Sequence, residues 1–276
     1  MTSQCHYAKL PSRALIAVSG PDWRDYLQGL VTQDVATLSE CEIRFAALLT
    51  PQGRLLFDLF LVGTPQGCLI DCAAEHRAAL LQKLKLHRLR AKVALEALDT
   101  PAMALWGATS TPEGWSPDPR ARGLGFRSYG ASPPSEAISV DEAAHDAHIF
   151  ALGLPGPADW GHDKSYPIEA NFDLLGGIDF KKGCFVGQET TSRMKRRGTV
   201  KNRMAPITFE GPAPDAGSAL HAGGLRTGQV MSGREGGAIA LLRLDRLAEG
   251  ELTLADGRAW RVRWPEWMAG VSAIED

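Results

Sequence analysis

Residues 181–203 read KKGCFVGQETTSRMKRRGTVKNR. This stretch places eight basic residues and one acidic residue around a single cysteine, Cys184. Nearby cations favour the thiolate form of a cysteine, so the stretch predicts a reactive thiol. A lone cysteine is more often a small buried apolar residue. Here Gly183 and Gly187 flank it, and glycines are expected where backbone turns tightly or approaches a ligand closely.

Charge is distributed unevenly along the rest of the chain. The 276 residues carry a formal net charge of −2, which by itself argues against a dedicated nucleic-acid or membrane-surface binder. Residues 77–92 add six basic residues and no acidic one. The two basic segments together hold 14 of the 30 basic residues and one of the 32 acidic residues, so the remainder is strongly acidic. Such segments favour an anionic ligand or an acidic partner.

The composition is that of an ordinary globular protein, with 44% hydrophobic and 22% charged residues. Its length suggests about two domains. The five cysteines form no C-x-x-C pair, which favours a reducing compartment. Residues 1–10 show no signal or transit peptide pattern, and no long apolar run is present, so we expect a bacterial cytoplasmic protein without a membrane partner.

Hydrophobic periodicity predicts a mixed fold of the α+β class. Residues 19–22 contain a small polar residue, a proline and an acid, which together predict the start of a helix. The strand predicted at 54–62 is a nearly continuous apolar run that one carboxylate, Asp58, interrupts. The predicted helices cover residues 23–30, 73–89 and 141–152, and the predicted strands cover residues 45–49, 54–62, 93–97 and 124–127. After residue 199, short alternating runs separated by glycine-rich turns predict a small β-barrel or sandwich; they cover residues 204–209, 226–231, 238–244, 251–254 and 260–264.

Residues 182–189, KGCFVGQE, resemble the K-G-C-Y/F-x-G-Q-E signature of the YgfZ family, folate-binding proteins implicated in iron–sulfur cluster assembly or repair. Other segments are similar to that family over nearly the whole chain. They are residues 27–35 (F-L-Q-G-x-x-T-N-D-V in the family), 51–58 (P-x-G-R-x-x-x-D), 167–173 (P-x-E-A-N-x-D) and 265–267 (P-x-W).

The resemblance implies an architecture shared with the T-protein aminomethyltransferase of the glycine cleavage system. Residues 1–199 would form a multi-lobed folate-binding body of two interwoven lobes, with a loop-rich connection at 111–136. Residues 200–276 would form the small C-terminal β-barrel.

The resemblance also implies a tetrahydrofolate cofactor and site residues. Cys184 would be the catalytic thiolate and a shared iron–sulfur ligand, with no metal site of the chain's own. Asp58 and Glu169 would hydrogen-bond the pterin; alternatively, Asp58 pairs with a buried arginine and Glu169 is a surface acid. The remaining cofactor-binding residues would be Lys182, Gly183, Gly187, Gln188, Glu189 and Arg193.

We therefore expect a folate-binding accessory protein whose partners are reduced folate and iron–sulfur assembly proteins or client enzymes, with a link to tRNA modification. The alternative is a folate-dependent aminomethyltransferase or demethylase. Residues 152–155 lack the arginine and acid that such enzymes carry, and those enzymes lack the cysteine motif, which weakens this alternative. Nucleic-acid binding is disfavoured because the basic segments hold almost no aromatic residues. A Cys–His hydrolase is disfavoured because none of the seven histidines has the context of a base.

Overall fold

The computed structural model describes residues 4–196 and 200–272. A central antiparallel sheet contains most of the buried apolar strands. It consists of β2 (Arg13–Ser19), β3 (Ile43–Leu49), β4 (Leu55–Thr64), β5 (Gly67–Ala73) and β6 (Ala94–Leu98), in the order β3-β4-β5-β2-β6. The predicted hairpin is β3 and β4, in which Ala47 lies opposite Asp58.

A second sheet joins the N-terminus to the loop-rich part of the chain. It consists of β1 (His6–Lys9), β7 (Met103–Trp106), β8 (Ser116–Pro117), β9 (Phe126–Ser128) and β10 (Ile138–Val140), in the order β10-β1-β7-β9-β8. The predicted connection at 111–136 thus contributes two short strands to this sheet, of which β9 is close to the predicted strand at 124–127.

The third sheet is antiparallel and C-terminal. It consists of β11 (Asn202–Phe209), β12 (Ala219–Ala222), β13 (Leu225–Arg234), β14 (Gly237–Arg243), β15 (Leu252–Leu254) and β16 (Trp260–Val262), in the order β15-β12-β13-β14-β11-β16. Sequence periodicity predicts all of these strands except β12. The predicted boundary near residue 200 falls beside residues 197–199, which lie outside the described residues, and the division stays a prediction.

The helices are short and pack on the sheets. They are α1 (Trp23–Gln28), α2 (Arg77–His87), α3 (Glu142–Ala151), α4 (Pro157–Trp160), α5 (Gln188–Arg196) and α6 (Ala269–Ser272), with single 3₁₀ turns at Ala74–His76, Leu244–Arg246 and Glu266–Met268. The helix α5, which begins directly after the cysteine motif, was not predicted. Within the described ranges, no helix is long and apolar enough to span a membrane.

The central sheet is covered on both faces, which explains why β4 is a nearly continuous apolar run rather than an alternating one. One face packs against α1 and α2. The other face packs Phe45 and Phe60 against Phe172, with the Phe45 and Phe172 rings stacked at 4.5 Å. Met204 and Ile239 of the C-terminal sheet belong to the same cluster, so that sheet is joined to the body through a shared core.

Candidate functional site

The cysteine loop, residues 176–187, lies against residues 28–34, so two of the segments noted in the sequence meet in space. The buried Thr32 connects them, because its hydroxyl donates to the carbonyl of Gly177 at 2.6 Å and its own carbonyl accepts from the Asp179 amide at 3.0 Å. The other contacts are Gln33 Nε2 to Gly176 O (2.6 Å) and Val186 N to Gly29 O (3.3 Å). The loop carrying the cysteine is therefore held by hydrogen bonds at both of its ends.

Lys182 fastens the middle of the cysteine loop. Its ammonium group donates to the carbonyls of Gln28, Val31 and Gln33 at 2.8, 2.7 and 2.8 Å. All three of its protons are used, so Lys182 satisfies carbonyls at the end of α1 and just beyond it. Burial lowers the pKa of Lys182 to about 8, against the opposing effect of Asp34. Its geometry is that of a structural anchor for the loop.

Gly187 ends the cysteine loop where it touches the Pro51–Arg54 turn. Its φ is +82°, and a Cβ there would lie 2.7 Å from the carbonyl oxygen of Thr50 and 3.0 Å from the Cα of Gly53. Gly53 also has a positive φ, of +84°. The two glycines permit a close backbone approach that any other residue would prevent.

Cys184 is an exposed free cysteine, and the neighbouring Gly183 is also exposed. Apart from the two chain neighbours of Gly183, no atom of residues 4–196 and 200–272 lies within 4 Å of the position of an added Cβ. The next residue, Phe185, is buried in the core. The thiol thus lies on an anchored loop with open space beside it. Among residues 4–196 and 200–272, no group of three or more His, Cys, Asp or Glu side chains could hold a metal ion.

Gln188, Glu189 and Arg193 lie on α5. Gln188 begins the helix, and Glu189 and Arg193 are exposed one turn apart. A shallow depression of about 510 Å³ is lined by Phe180, Gln188, Glu189, Ser192, Lys195 and Arg196. The last turn of α5 is basic, and Lys195 Nζ lies 5.3 Å from the ring centroid of Phe180 in the cysteine loop.

Asp58 lies in a different place, a cavity of about 490 Å³ between the central sheet and α3. Its Oδ2 accepts from Arg13 Nη1 at 2.7 Å, as the alternative interpretation of this carboxylate expected. This Asp58 cavity is lined by Leu10, Ser12, Arg13, Asp58, Phe60, Ala73, Ala74, Glu75, Arg120, Arg127, Glu142, His145, Asp146, Ile149, Pro157 and Trp160. Within the described residues, no hydrogen bond is made to Oδ1 of Asp58.

The floor of the cavity is a buried ionic network. Arg13 Nε lies 2.6 Å from Asp71 Oδ1, and Arg127 Nη2 lies 2.8 Å from Asp71 Oδ2. The Arg127 guanidinium is also 3.8 Å from the ring centroid of Phe60. Burial alone would raise the pKa of Asp71, but Arg13 and Arg127 keep it below its ordinary value.

Two further groups complete this network. Asp118 pairs with Arg120 at 2.8 Å and with Arg127 at 3.4 Å, and these arginines outweigh burial and hold the pKa of Asp118 far below its ordinary value. Burial, reinforced by Arg127 and Arg120, lowers the pKa of His145 to about 3. The imidazole facing the cavity is therefore neutral near pH 7.

Glu169 lines neither the Asp58 cavity nor the cysteine loop. Its Oε2 accepts from the Tyr166 amide at 3.1 Å within the same turn, and its Oε1 accepts from Asn202 Nδ2 at 3.2 Å, so one oxygen stabilises the turn and the other joins it to β11. The sequence-based interpretation implied that Asp58, Glu169 and Cys184 share one site. The structure does not bring these three residues together.

Three comparisons with known proteins bear on identity. The CAF17 C-terminal beta-barrel domain matches residues 201–270. The mitochondrial iron–sulfur cluster assembly factor IBA57 homolog of Neurospora crassa is 33% identical over 75% of this chain and 55% of its own length. The homolog of Pyricularia oryzae is 30% identical over 88% of this chain and 73% of its own length.

The chain belongs to the IBA57 family of iron–sulfur cluster assembly factors. The human mitochondrial IBA57 protein is 28% identical over 96% of the chain and 85% of its own length. The chain spans a little over half the length of several fungal IBA57 homologs that it matches.

The fold is similar to that of the glycine cleavage system aminomethyltransferase T from Bartonella henselae, with a TM-score of 0.76, 18% identity, and coverage of 95% of this chain and 85% of that one. The predicted aminomethyltransferase-like fold with a C-terminal β-barrel is confirmed. The resemblance to the YgfZ family is confirmed in part. YgfZ is the bacterial relative of the IBA57 family, but the relatives found are mitochondrial IBA57 proteins.

Two sequence-based expectations need correction. The prediction of a bacterial cytoplasmic protein is wrong, because the relatives found are named as mitochondrial proteins. Their names state iron–sulfur cluster assembly and give no support to a link with tRNA modification.

Sequence reasoning also missed most of the ionic network around Asp58. A carboxylate inside an apolar strand singled out Asp58, and the same signal is present at Asp71 within β5. The arginines lacked such a signal, because Arg13 and Arg127 are separated from Asp71 by 58 and 56 residues along the chain.

Proposed function

We propose that this IBA57 family member binds tetrahydrofolate in the Asp58 cavity and uses Cys184 to assist the assembly or repair of iron–sulfur clusters in client enzymes. The main support for this proposal is that Cys184 is exposed on a loop that Lys182 and Thr32 anchor to the body. The names of the relatives support the cluster assembly role. The residue division 1–199 and 200–276 remains part of this proposal, and the match at 201–270 supports it.

The cluster is the cargo in this proposal, and Cys184 supplies one ligand to it. Biological clusters are usually held by four thiolates, so the remaining ligands come from a partner protein or a small thiol. The open space beside Gly183 leaves room for those ligands. The thiol loses its proton when it binds iron.

The residues of the Asp58 cavity fit the pterin half of a folate. A volume of about 490 Å³ lies within the range of small-molecule sites. Asp58 keeps one carboxylate oxygen without an internal donor among the described residues, and this oxygen is available to the N–H groups of a pterin. Phe60 and Trp160 add apolar lining to the same cavity. Because Arg13 holds the other oxygen, the carboxylate is fixed in orientation before a ligand arrives.

The test of the cluster role compares two exposed cysteines. Cys41 is exposed, like Cys184, but lies on another loop, so Cys41→Ser is a matched control for Cys184→Ser. The full chain is mixed with a cluster-carrying assembly protein and glutathione, and visible absorption and circular dichroism report the cluster. We expect Cys184→Ser to abolish cluster sharing and activation of an apo iron–sulfur enzyme, and Cys41→Ser to retain both. Full activity of Cys184→Ser would refute the role of this thiol.

The folate part is tested separately by calorimetric titration with tetrahydrofolate. Asp58→Asn keeps the size of the side chain but removes its charge, and we expect about tenfold weaker binding because a charged acceptor is lost. Asp256→Asn, at an exposed aspartate of the C-terminal sheet region, is the control. Unchanged affinity of the Asp58→Asn protein would place the folate elsewhere without affecting the cysteine result.

The alternative, aminomethyl or methyl transfer to folate, rests on the fold similarity alone. Incubation of the chain with tetrahydrofolate and an S-aminomethyl thiol tests it, because the aminomethyl carbon is already at the oxidation level of formaldehyde and its transfer would yield methylene-tetrahydrofolate with release of ammonia and the free thiol. We expect no product, since residues 152–155 lack the arginine and the acid that such transferases carry.

A further inference from the structure

The C-terminal end of α2 forms a second exposed feature, unrelated to the cysteine loop. Residues 85–90 read KLHRLR, and all six are exposed. This basic tip combines three permanent cations and a histidine with two leucines, and it contains no acid. It lines neither the Asp58 cavity nor the depression beside α5.

Both ends of the basic tip are fixed to α1 and the turn before it. The hydroxyl of Tyr26 donates to the carbonyl of Leu84 at 2.6 Å, immediately before the tip. The amide of Lys92 donates to Asp22 Oδ2 at 2.7 Å, just after it. The tip therefore projects as a turn held between two anchored points.

The two leucines are the most exposed large apolar side chains of residues 4–196 and 200–272, with Leu86 70% and Leu89 89% exposed. Leu89 also has a φ of +46°. Leu89 directly follows the C-cap residue of α2, Arg88. The residue after a C-cap is commonly glycine when its φ is positive, because a side chain is strained in that conformation. Leu89 is thus unfavourable in conformation and in hydration.

We infer that the basic tip docks on the surface of an anionic phospholipid membrane. Leu86 and Leu89 enter the boundary between headgroups and acyl chains, where their exposed apolar area is removed from water. Lys85, Arg88 and Arg90 remain at the headgroup level and pair with lipid phosphates. The contact is peripheral and reversible, because it combines a small apolar area with a few charges.

A lipid surface fits this tip better than RNA or an acidic protein. The phosphodiester backbone of RNA provides no apolar surface against which two projecting leucines could pack. Residues 77–92 also contain no Phe, Trp or Tyr on which bases could stack. An acidic protein would need a groove shaped to receive a convex turn, whereas a bilayer conforms to it. The near-neutral net charge of the chain hides this local combination.

The test is vesicle co-sedimentation of the full chain. One set of vesicles contains phosphatidylcholine alone, and the other contains phosphatidylcholine mixed with phosphatidylglycerol. We expect the chain to bind the mixed vesicles and not the neutral ones, with binding that weakens as salt is added.

Leu89→Gly is the most informative variant. Glycine relieves the strain at φ +46°, so the variant is expected to unfold at an equal or higher temperature while it partitions about tenfold less onto mixed vesicles. Leu86→Gln, on the exposed side of α2, is expected to weaken partitioning to a similar extent. Leu225→Gln, at another exposed leucine (52%), is the control and should bind as wild type does.

The charge contribution is tested with the double variant Lys85→Gln and Arg90→Gln, which should lose most of its binding and its salt dependence. Equal binding of wild type to neutral and mixed vesicles, or no binding to either, overturns the inference. The inference is also overturned if both leucine variants bind mixed vesicles as strongly as wild type does. That result would mean that the basic tip makes only electrostatic contacts, which RNA or an acidic protein could equally supply. These outcomes are independent of the cysteine and folate experiments.

Discussion

Arg13 Nη1 donates to Asp58 Oδ2 across 2.7 Å, so the carboxylate at the cavity is already paired within the chain. The same arginine also binds Asp71, whose side chain is completely buried. Arg13 therefore forms ion pairs with carboxylates on two different strands of the central sheet, and Arg127 supplies the second positive charge at Asp71. The cavity is built on this network, and its stability depends on it.

Removing that arginine should be costly. Arg13→Met keeps most of the side-chain volume but leaves Asp58 and Asp71 short of a buried partner, and we expect the free energy of unfolding to fall by about 3–5 kcal/mol. Urea unfolding followed by circular dichroism measures it. Arg243→Met, which breaks a partly exposed pair with Asp245, is the control and should lower stability far less. Equal losses in the two variants would show that the buried network has no special weight.

The two glycines beside Cys184 should respond differently to alanine. Gly187 has a positive φ and only 2.7 Å between an added Cβ and the carbonyl of Thr50, so Gly187→Ala should destabilise the chain by about 1–3 kcal/mol. Gly183 has open space, so Gly183→Ala should leave thermal stability nearly unchanged. A large loss in Gly183→Ala would contradict this account of the loop.

Patterns local in sequence predicted most of the fold, whereas contacts between distant segments escaped them. The helical period predicts that the apolar face of α2 contains Leu80, Leu81 and Leu84, with Leu86 as a further candidate. Leu80 and Leu84 are buried, and Leu81 is partly buried against the same core. Leu86 is exposed because six residues at 100° each place it roughly 240° around the helix from Leu80. Strict counting of the helical period would have found this.

The candidate site was predictable only in part. The cysteine loop is contiguous in sequence, so its residues could be named together, and Cys184 is exposed in the structure. Asp58 could be named as a carboxylate in an apolar strand, but its partner Arg13 is 45 residues away on a strand whose position in the sheet no periodicity reveals. Glu169 shows the converse error, because a motif residue was assigned to a ligand while the chain uses it to join two segments.

The buried ammonium of Lys182 should give the chain a pH dependence. Burial lowers its pKa from 10.5 to about 8, so between these values the unfolded chain binds a proton that the folded chain has released. Stability linked to this group therefore rises as pH increases from about 8 to about 10.5 and is flat below that window. Lys182→Met should remove this rise, which urea unfolding at several pH values would show as a difference between the two proteins. Parallel curves across the window would contradict the assignment.

The buried hydroxyl of Thr32 should be essential for holding the cysteine loop. It donates to Gly177 O at 2.6 Å and accepts from the Ala47 amide at 2.8 Å, so it connects the loop to β3. Thr32→Val has nearly the same shape but leaves both backbone groups without a partner, and we expect a loss of about 1–3 kcal/mol in unfolding free energy. Thr32→Ser keeps the hydroxyl and should retain most of the stability. If serine costs as much as valine, the methyl group rather than the hydrogen bonds holds the loop. Reaction of Cys184 with a thiol reagent provides a second measurement, because only the valine variant should change its rate.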